Sequence, residues 1–208
     1  MELSLINLPN LGIADVKLDK GIIDNLWLLI DKAKKENKNK RSDLAGNITS
    51  SLEMENATFL MPVLKEVTQQ YEKKYGAGFH ALSSNVKGHI ISLDSLWVNF
   101  QFKNEFNPIH NHNGAYSFVI WMKIPTEFSE QKELPFVKGS NDPNLVSNFV
   151  FTFTNIIGDI EQLTIPMGKD FEGRLVLFPS RLKHLVYPFY GTDESRISIS
   201  GNLSFSKK

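Results

Sequence analysis

The chain has 208 residues, no cysteine, and equal totals of 23 for Lys plus Arg and for Asp plus Glu, so its formal charge is zero. That length suits one domain, 1–208, with a sizeable core, and the neutral balance gives no strong signal for nucleic acid or an anionic membrane. Without cysteine there are no disulfides, thiolate zinc sites or cysteine nucleophiles; a reducing compartment fits, and any metal must be held by His, Asp or Glu.

The opening "MELSLINLPNLGIADVKLDKG" has no basic start leading into a long apolar run. No segment approaches the roughly 20 apolar residues of a membrane span. A soluble, cytoplasmic protein is expected. In "GIIDNLWLLIDKAKKENKNK", Ile22, Ile23, Leu26, Leu29, Ile30 and Ala33 recur every three or four residues, which predicts an amphipathic helix ending in a lysine-rich tail. "RSDLAGNITSS" reads as a polar loop. "MPVLKEVTQQYEKKYG" predicts a second helix, with Val63, Leu64, Val67 and Tyr71 on one stripe, Pro62 in the first turn and Gly76 as a stop.

From about residue 86 the period changes. "SLWVNFQFK" sets Leu96, Val98, Phe100 and Phe102 against Trp97, Asn99, Gln101 and Lys103, the alternation of a two-faced strand. Further strands are predicted in "YSFVIWMKIP", "NFVFTFTN", "EQLTI", "RLVLFP", "HLVYPF" and "RISISGNLSF", separated by Gly, Asn, Asp and Pro clusters. The polar stretch 126–148 reads as a long loop, either covering a site or forming ordinary surface. A helical N-terminal part, 1–85, followed by strands over 86–208 implies an α+β protein, mainly β, with helices packed on a sandwich or barrel.

Two of the five histidines flank one asparagine in "FNPIHNHNGAYSF". If 108–113 is extended, His110 and His112 point to one face and can chelate one metal ion; imidazole suits iron, zinc, copper or nickel. The plainer reading is a surface or hydrogen-bonded pair. His184 then opens a strand after a Phe-Pro turn, and Arg196, Ser198, Ser200 and Asn202 follow at period two, with Ile197 and Ile199 on the other face. An arginine facing a barrel interior needs a counter-charge, either an internal carboxylate or an anionic ligand held by the guanidinium and a serine hydroxyl. An exposed strand face is the third option.

A His-x-Asp or His-x-His pair early in the strands, a distal histidine late, and an Arg-x-Ser about ten residues on resemble the iron(II)/2-oxoglutarate-dependent oxygenase superfamily. More narrowly, "NPIHNHNGAYSFVIWMKIP" with "GRLVLFPSRLKHLVYPFYGTDESRISISGNLSF" is similar to 2-oxoglutarate oxygenases of marine phages and bacteria that carry a His-x-His first motif. The likeness spans 92–205, and "DLAGNI" at 43–48 belongs to it without a mechanism. It implies a double-stranded β-helix, a jelly-roll or cupin-like barrel with packing helices. It further implies Fe(II) as cofactor, 2-oxoglutarate and dioxygen as co-substrates, and hydroxylation of an unassigned substrate. His110 and His184 become metal ligands, Arg196 the anchor for the distal carboxylate of 2-oxoglutarate, and Ser198 its assistant.

The family's usual first motif has a carboxylate where this chain has His112. Either His112 completes a three-histidine face or water takes that position; Glu105, five residues before His110, is a poor substitute. Asn99, Gln101 and Tyr116, the last with the parity of His110 and His112, are candidates for lining the pocket, each against the reading of a solvated strand face. Trp97 and Trp121 are expected in the core, and His80 and His89 have no assigned role. Two other readings remain: an inactive jelly-roll binding or phage-associated module, and a three-histidine dioxygenase that does not use 2-oxoglutarate. The likeness extends the location to a phage-encoded protein in host cytoplasm; a homodimer is compatible with the sequence.

Overall fold

The computed structural model describes residue 4 and residues 10–55, 57–76 and 90–206. Both predicted helices form. α1, Lys20–Glu36, buries Leu26, Ile30 and Ala33, and closes on Asn37, whose left-handed φ of 52° lets its N–H reach the Ala33 carbonyl. α2, Met61–Tyr75, carries Pro62 in its first turn and buries Leu64, Val67, Thr68 and Tyr71. No helix among the described residues is long and apolar enough to cross a membrane.

The strands are β1 (Ala14–Lys17), β2 (Ser50–Glu53), β3 (Ile90–Gln101), β4 (Asn107–His110), β5 (Tyr116–Lys123), β6 (Phe149–Thr154), β7 (Ile160–Ile165), β8 (Arg174–Pro179), β9 (Lys183–Val186) and β10 (Arg196–Ser206). They form a six-stranded sheet, β1-β8-β5-β10-β3-β2, and a four-stranded sheet, β4-β9-β6-β7. Every pairing is antiparallel.

The long central strands of the large sheet have two apolar faces because each is covered by a different layer. On the outer face Val98, Phe100, Phe118, Ile120, Leu175, Leu177 and Ile199 pack against Leu26 and Ile30 of α1 and Leu60 and Leu64 beside and in α2. On the inner face Val119, Trp121, Val176 and Phe178 meet Phe149, Phe151, Ile165 and Met167. That is the helix-covered two-sheet arrangement expected; hydrogen bonding stays within each sheet, so the barrel is not continuously closed. One side is spanned instead by the chain itself: Asn47 bridges Phe106 beside the small sheet, and β2, three residues on, pairs with β3 of the large one.

Three expectations are corrected. The N-terminal part is not purely helical, since β1 and β2 are edge strands of the large sheet. Four residues are too few for periodicity to reveal. β3 ends at Gln101, so Phe102 does not extend the alternation and is exposed. There the Glu105 carboxylate accepts from the N–H groups of Phe102 and Thr49, fixing a turn. The 126–148 stretch carries two short helical turns, α3 (Phe128–Gln131) and α4 (Pro135–Lys138), and is fastened by the buried Gln131 amide, which both donates to and accepts from the Tyr190 backbone.

Candidate functional site

β4 and β9 are short neighbours in the small sheet, and their register sets His110 directly opposite His184. Each imidazole is turned the same way: Nδ1 of His110 lies 2.7 Å from the Pro108 carbonyl and Nδ1 of His184 lies 2.9 Å from the Leu182 carbonyl. A carbonyl accepts only, so Nδ1 carries the proton in both rings and Nε2 keeps its lone pair. His112 lies just past the end of β4; its N–H donates to the Ser180 carbonyl at 2.8 Å, and its ring sits 5.8 Å from Trp97. Trp97, expected only as core, is therefore also a wall of the histidine group.

The three rings converge. Their centroids are 4.2 Å (His110 to His184), 5.0 Å (His110 to His112) and 5.1 Å (His112 to His184) apart. One nitrogen of each lies within 4.8 Å of the others, so together they could hold a metal ion. Phe149, Phe151 and Phe178 surround His184 and keep water from it. Burial drives all three imidazoles toward the neutral, metal-binding form. It lowers His110, takes His112 down to about 4 with repulsion from His110 adding, and takes His184 down to about 3. Glu105 is not part of this group: its carboxylate is taken up by Thr49 and the Phe102 N–H.

Arg196 opens β10 on the inner face. It is almost wholly buried, and among the described residues no carboxylate pairs with it. Its Nη2 donates to the Ser147 carbonyl at 2.7 Å and the Ser147 hydroxyl at 2.6 Å, and Nη1 reaches Gln101 Oε1 at 3.4 Å. Nε has no partner among the described residues. The guanidinium carbon sits 5.0 Å from the Phe189 ring centre, a cation–π contact. Desolvation pulls its pKa down to about 9, which still leaves it charged at neutral pH. A cation buried in this way with a spare donor could take an anion.

Between Arg196 and the histidines, Ser198 and Asn99 are paired across β10 and β3, with Asn99 Oδ1 accepting from the Ser51 hydroxyl at 2.7 Å. Gln101 donates to the Glu105 carbonyl at 2.6 Å while touching Arg196. Tyr116 goes elsewhere. Its ring meets Tyr71 and Phe205 edge-to-face in the layer between large sheet and helices, and its hydroxyl donates to Glu72 at 3.0 Å. The parity that linked it to His112 is broken at Gly114, whose φ of 98° belongs to a turn and not a strand. Trp121 is core, as expected. His80 and His89 lie outside the described residues.

Ser147, the principal partner of Arg196, carries no sequence signal: it ends the long loop, 49 residues from the arginine. Segment 43–48 gains a local explanation. Asn47 donates to the Phe106 carbonyl at 2.9 Å, and a Cβ on Gly46 would lie 1.9 Å from Asn107 Oδ1, so the segment packs against the strand that delivers His110.

In sequence, residues 95–202, more than half of the chain, match the family described as "Putative 2OG-Fe(II) oxygenase", 2OG being 2-oxoglutarate. The sequence matches no curated protein. Among solved structures the chain resembles a Pseudomonas putida prolyl-4-hydroxylase, with TM-score 0.52, 12% identity, and 95% of this chain and 93% of that one covered. It also resembles a viral collagen prolyl hydroxylase from Paramecium bursaria Chlorella virus-1 in its 2-oxoglutarate complex, with TM-score 0.51, 10% identity, and 92% and 94% covered. A third is SnoK, a non-heme α-ketoglutarate-dependent carbocyclase from nogalamycin biosynthesis, with TM-score 0.55, 7% identity, and 95% and 80% covered. At such identities the likeness is one of fold, the double-stranded β-helix.

Proposed function

The chain belongs to the 2OG-Fe(II) oxygenase family, and from that premise we propose that it is a hydroxylase that couples oxidative decarboxylation of 2-oxoglutarate to oxidation of a substrate C–H bond. His110, His112 and His184 would hold iron(II), the first and last through Nε2, in a three-imidazole face in place of the two-His, one-carboxylate face common to non-haem iron(II) oxygenases. Arg196 would anchor the distal carboxylate of 2-oxoglutarate, with Asn99 and Ser198 flanking the space between.

The donor set fits the metal: three neutral imidazoles, two with the free nitrogen fixed by a backbone acceptor. Bound there, iron(II) supplies activation of dioxygen, with 2-oxoglutarate leaving as succinate and carbon dioxide. The chain's own part is positional. Arg196 neutralises and orients the co-substrate, the Phe149, Phe151 and Phe178 rings keep the distal histidine dry, and the Nδ1 bonds hold two rings in place before the ion arrives. A bare histidine face carries one negative charge fewer than the family's usual face, so the loaded site is more positive by one and its redox behaviour shifts accordingly.

The observation that carries this reading is the buried Arg196 with, among the described residues, an unpartnered Nε and no carboxylate beside it. An inactive binding module has no need to keep a cation uncompensated there, nor has a three-histidine dioxygenase that dispenses with a dicarboxylate. The substrate is not named by the prolyl hydroxylases above, which share only the fold.

The test is anaerobic titration with iron(II) and then 2-oxoglutarate, following the visible metal-to-ligand charge-transfer band. Wild type should develop the band and Arg196→Ala should need far more 2-oxoglutarate to do so. A folded, iron-loaded wild type that gives no band would move the protein to a binding module or to metal chemistry without 2-oxoglutarate.

A further inference from the structure

We propose that Ser147 is a second reader of the distal carboxylate of 2-oxoglutarate, its hydroxyl standing between the Arg196 guanidinium and that carboxylate. The inference rests on the function proposed above and deepens it.

A guanidinium binds a carboxylate through two hydrogens, end-on with one from each Nη or side-on with Nε and Nη2. Both forks draw on Nη2. In this chain both Nη2 hydrogens are engaged by Ser147, one by its carbonyl and one by its hydroxyl oxygen. The guanidinium alone is left with Nε–H, which has no partner among the described residues, and Nη1, which is weakly held by Gln101 at 3.4 Å. A carboxylate docking on Arg196 thus lacks its usual second hydrogen. The Ser147 hydroxyl can replace it: a hydroxyl has one hydrogen and two lone pairs. One lone pair is committed to Nη2, while among the described residues the hydrogen has only Thr126 Oγ1 at 3.5 Å to point to. Accepting from the arginine also polarises that O–H and makes it a better donor to an anion.

The position is built with care. Ser147 is fully buried and holds a φ of 58°, a left-handed conformation in which residues other than Gly, Asn and Asp are rarely found. Its surroundings over-determine it. The Ser147 N–H donates to the Pro188 carbonyl at 2.9 Å, and the next residue, Asn148, donates through its amide to the Asn144 carbonyl at 2.7 Å and accepts from the Met167 N–H at 3.2 Å. Backbone strain held this way is characteristic of ligand clamps. Ser198, by contrast, makes no hydrogen bond to Arg196 among the described residues, although it shares the arginine's face of β10.

The test measures, by anaerobic calorimetry on the iron(II)-loaded protein, the affinities for 2-oxoglutarate and for 2-oxopentanoate. The second has the same chain length and keto acid end but no distal carboxylate. Ser147→Gly suits the left-handed φ, keeps the carbonyl and removes the hydroxymethyl group; Ser147→Ala, which loses the hydroxyl alone, serves if that variant does not fold. The expected result is a loss of about tenfold for 2-oxoglutarate, the low end for a hydrogen bond to a charged group because the freed Nη2 hydrogen takes over part of the hydroxyl's role, with 2-oxopentanoate unchanged. Equal losses for both ligands would make Ser147 merely structural, and an unchanged preference for 2-oxoglutarate would remove it from recognition; either overturns the inference while the oxygenase reading stands. Failure of wild type itself to bind 2-oxoglutarate would overturn both.

Discussion

His110 and His184 face each other across the β4–β9 ladder, and each donates its Nδ1 proton to the carbonyl two residues before it in the chain. The same local bond, repeated on antiparallel strands, aims two Nε2 lone pairs at one point before any ion is present. His112 has no such bond among the described residues and is braced by Trp97 instead.

That difference predicts a ranking. His110→Ala and His184→Ala should each weaken iron(II) binding by more than the roughly 10–100-fold cost typical of outer partners of a metal site. His112→Ala should bind iron(II) measurably more weakly than wild type, yet better than either of the other two. Anaerobic titrations with circular dichroism as folding control decide it. An unchanged affinity in His112→Ala would leave water, not imidazole, in the third position.

Acid should unfold the metal-free protein through these same rings. Their folded-state pKa values lie below the ordinary 6.5, at about 4 for His112 and about 3 for His184, because burial penalises the charged form. The unfolded chain therefore takes up protons first. Their contribution is complete above about pH 6.5 and is lost as pH falls toward 4 and then 3. Urea midpoints of the apoprotein between pH 7.5 and 3.5 should trace that fall, and His184→Phe should flatten it. A variant curve parallel to wild type would contradict the assignment.

Arg196 costs stability in the ligand-free protein, since it is buried as a cation without an anion among the described residues. Arg196→Met should leave the apoprotein Tm unchanged or raise it by a few degrees, at about 2–4 °C per kcal/mol for a chain of this size. It should also abolish the rise in Tm that 2-oxoglutarate gives the iron(II)-loaded protein. A clear drop in apoprotein Tm would mean that the bonds to Ser147 outweigh the desolvation.

Gly114 links the two histidine-bearing levels. Its φ is 98°, an added Cβ would lie 2.8 Å from the Leu203 carbonyl, and its own carbonyl accepts from the Ser180 hydroxyl at 2.6 Å, the residue that also holds the His112 N–H. Gly114→Ala should lower stability by about 1–3 kcal/mol and weaken iron(II) binding. Gly191→Ala has a comparable φ of 87° but open space around it, so chemical denaturation should show a smaller loss and iron(II) titration none.

Tyr116→Phe separates structure from binding. Loss of the hydroxyl bond to Glu72 should cost about 1 kcal/mol of stability. Iron(II) and 2-oxoglutarate affinities should match wild type, since the ring lies on the helix side of the large sheet. A fall in 2-oxoglutarate affinity in this variant would return Tyr116 to the pocket.

What the sequence by itself determined is what periodicity and short spacing can encode. Leu26, Ile30 and Ala33 mark α1 through the 3.6-residue turn; Val98 and Phe100 mark β3 through alternation; the one-residue gap between His110 and His112 makes a chelating pair legible, and the strand face shared by Arg196 and Ser198 is legible in the same way. What only the tertiary structure decided depends on partners far apart in the chain. β1 and β2 have four residues each and exist as strands because β8 and β3 offer them free edges. Tyr116 left the predicted face because one left-handed residue, Gly114, resets the alternation that a count of residues carries through. Ser147 became the partner of Arg196 because a long loop returns to the start of β10, and no local pattern announces where a loop returns. Local rules act over a few residues; a buried charge is satisfied by whatever the fold brings to it.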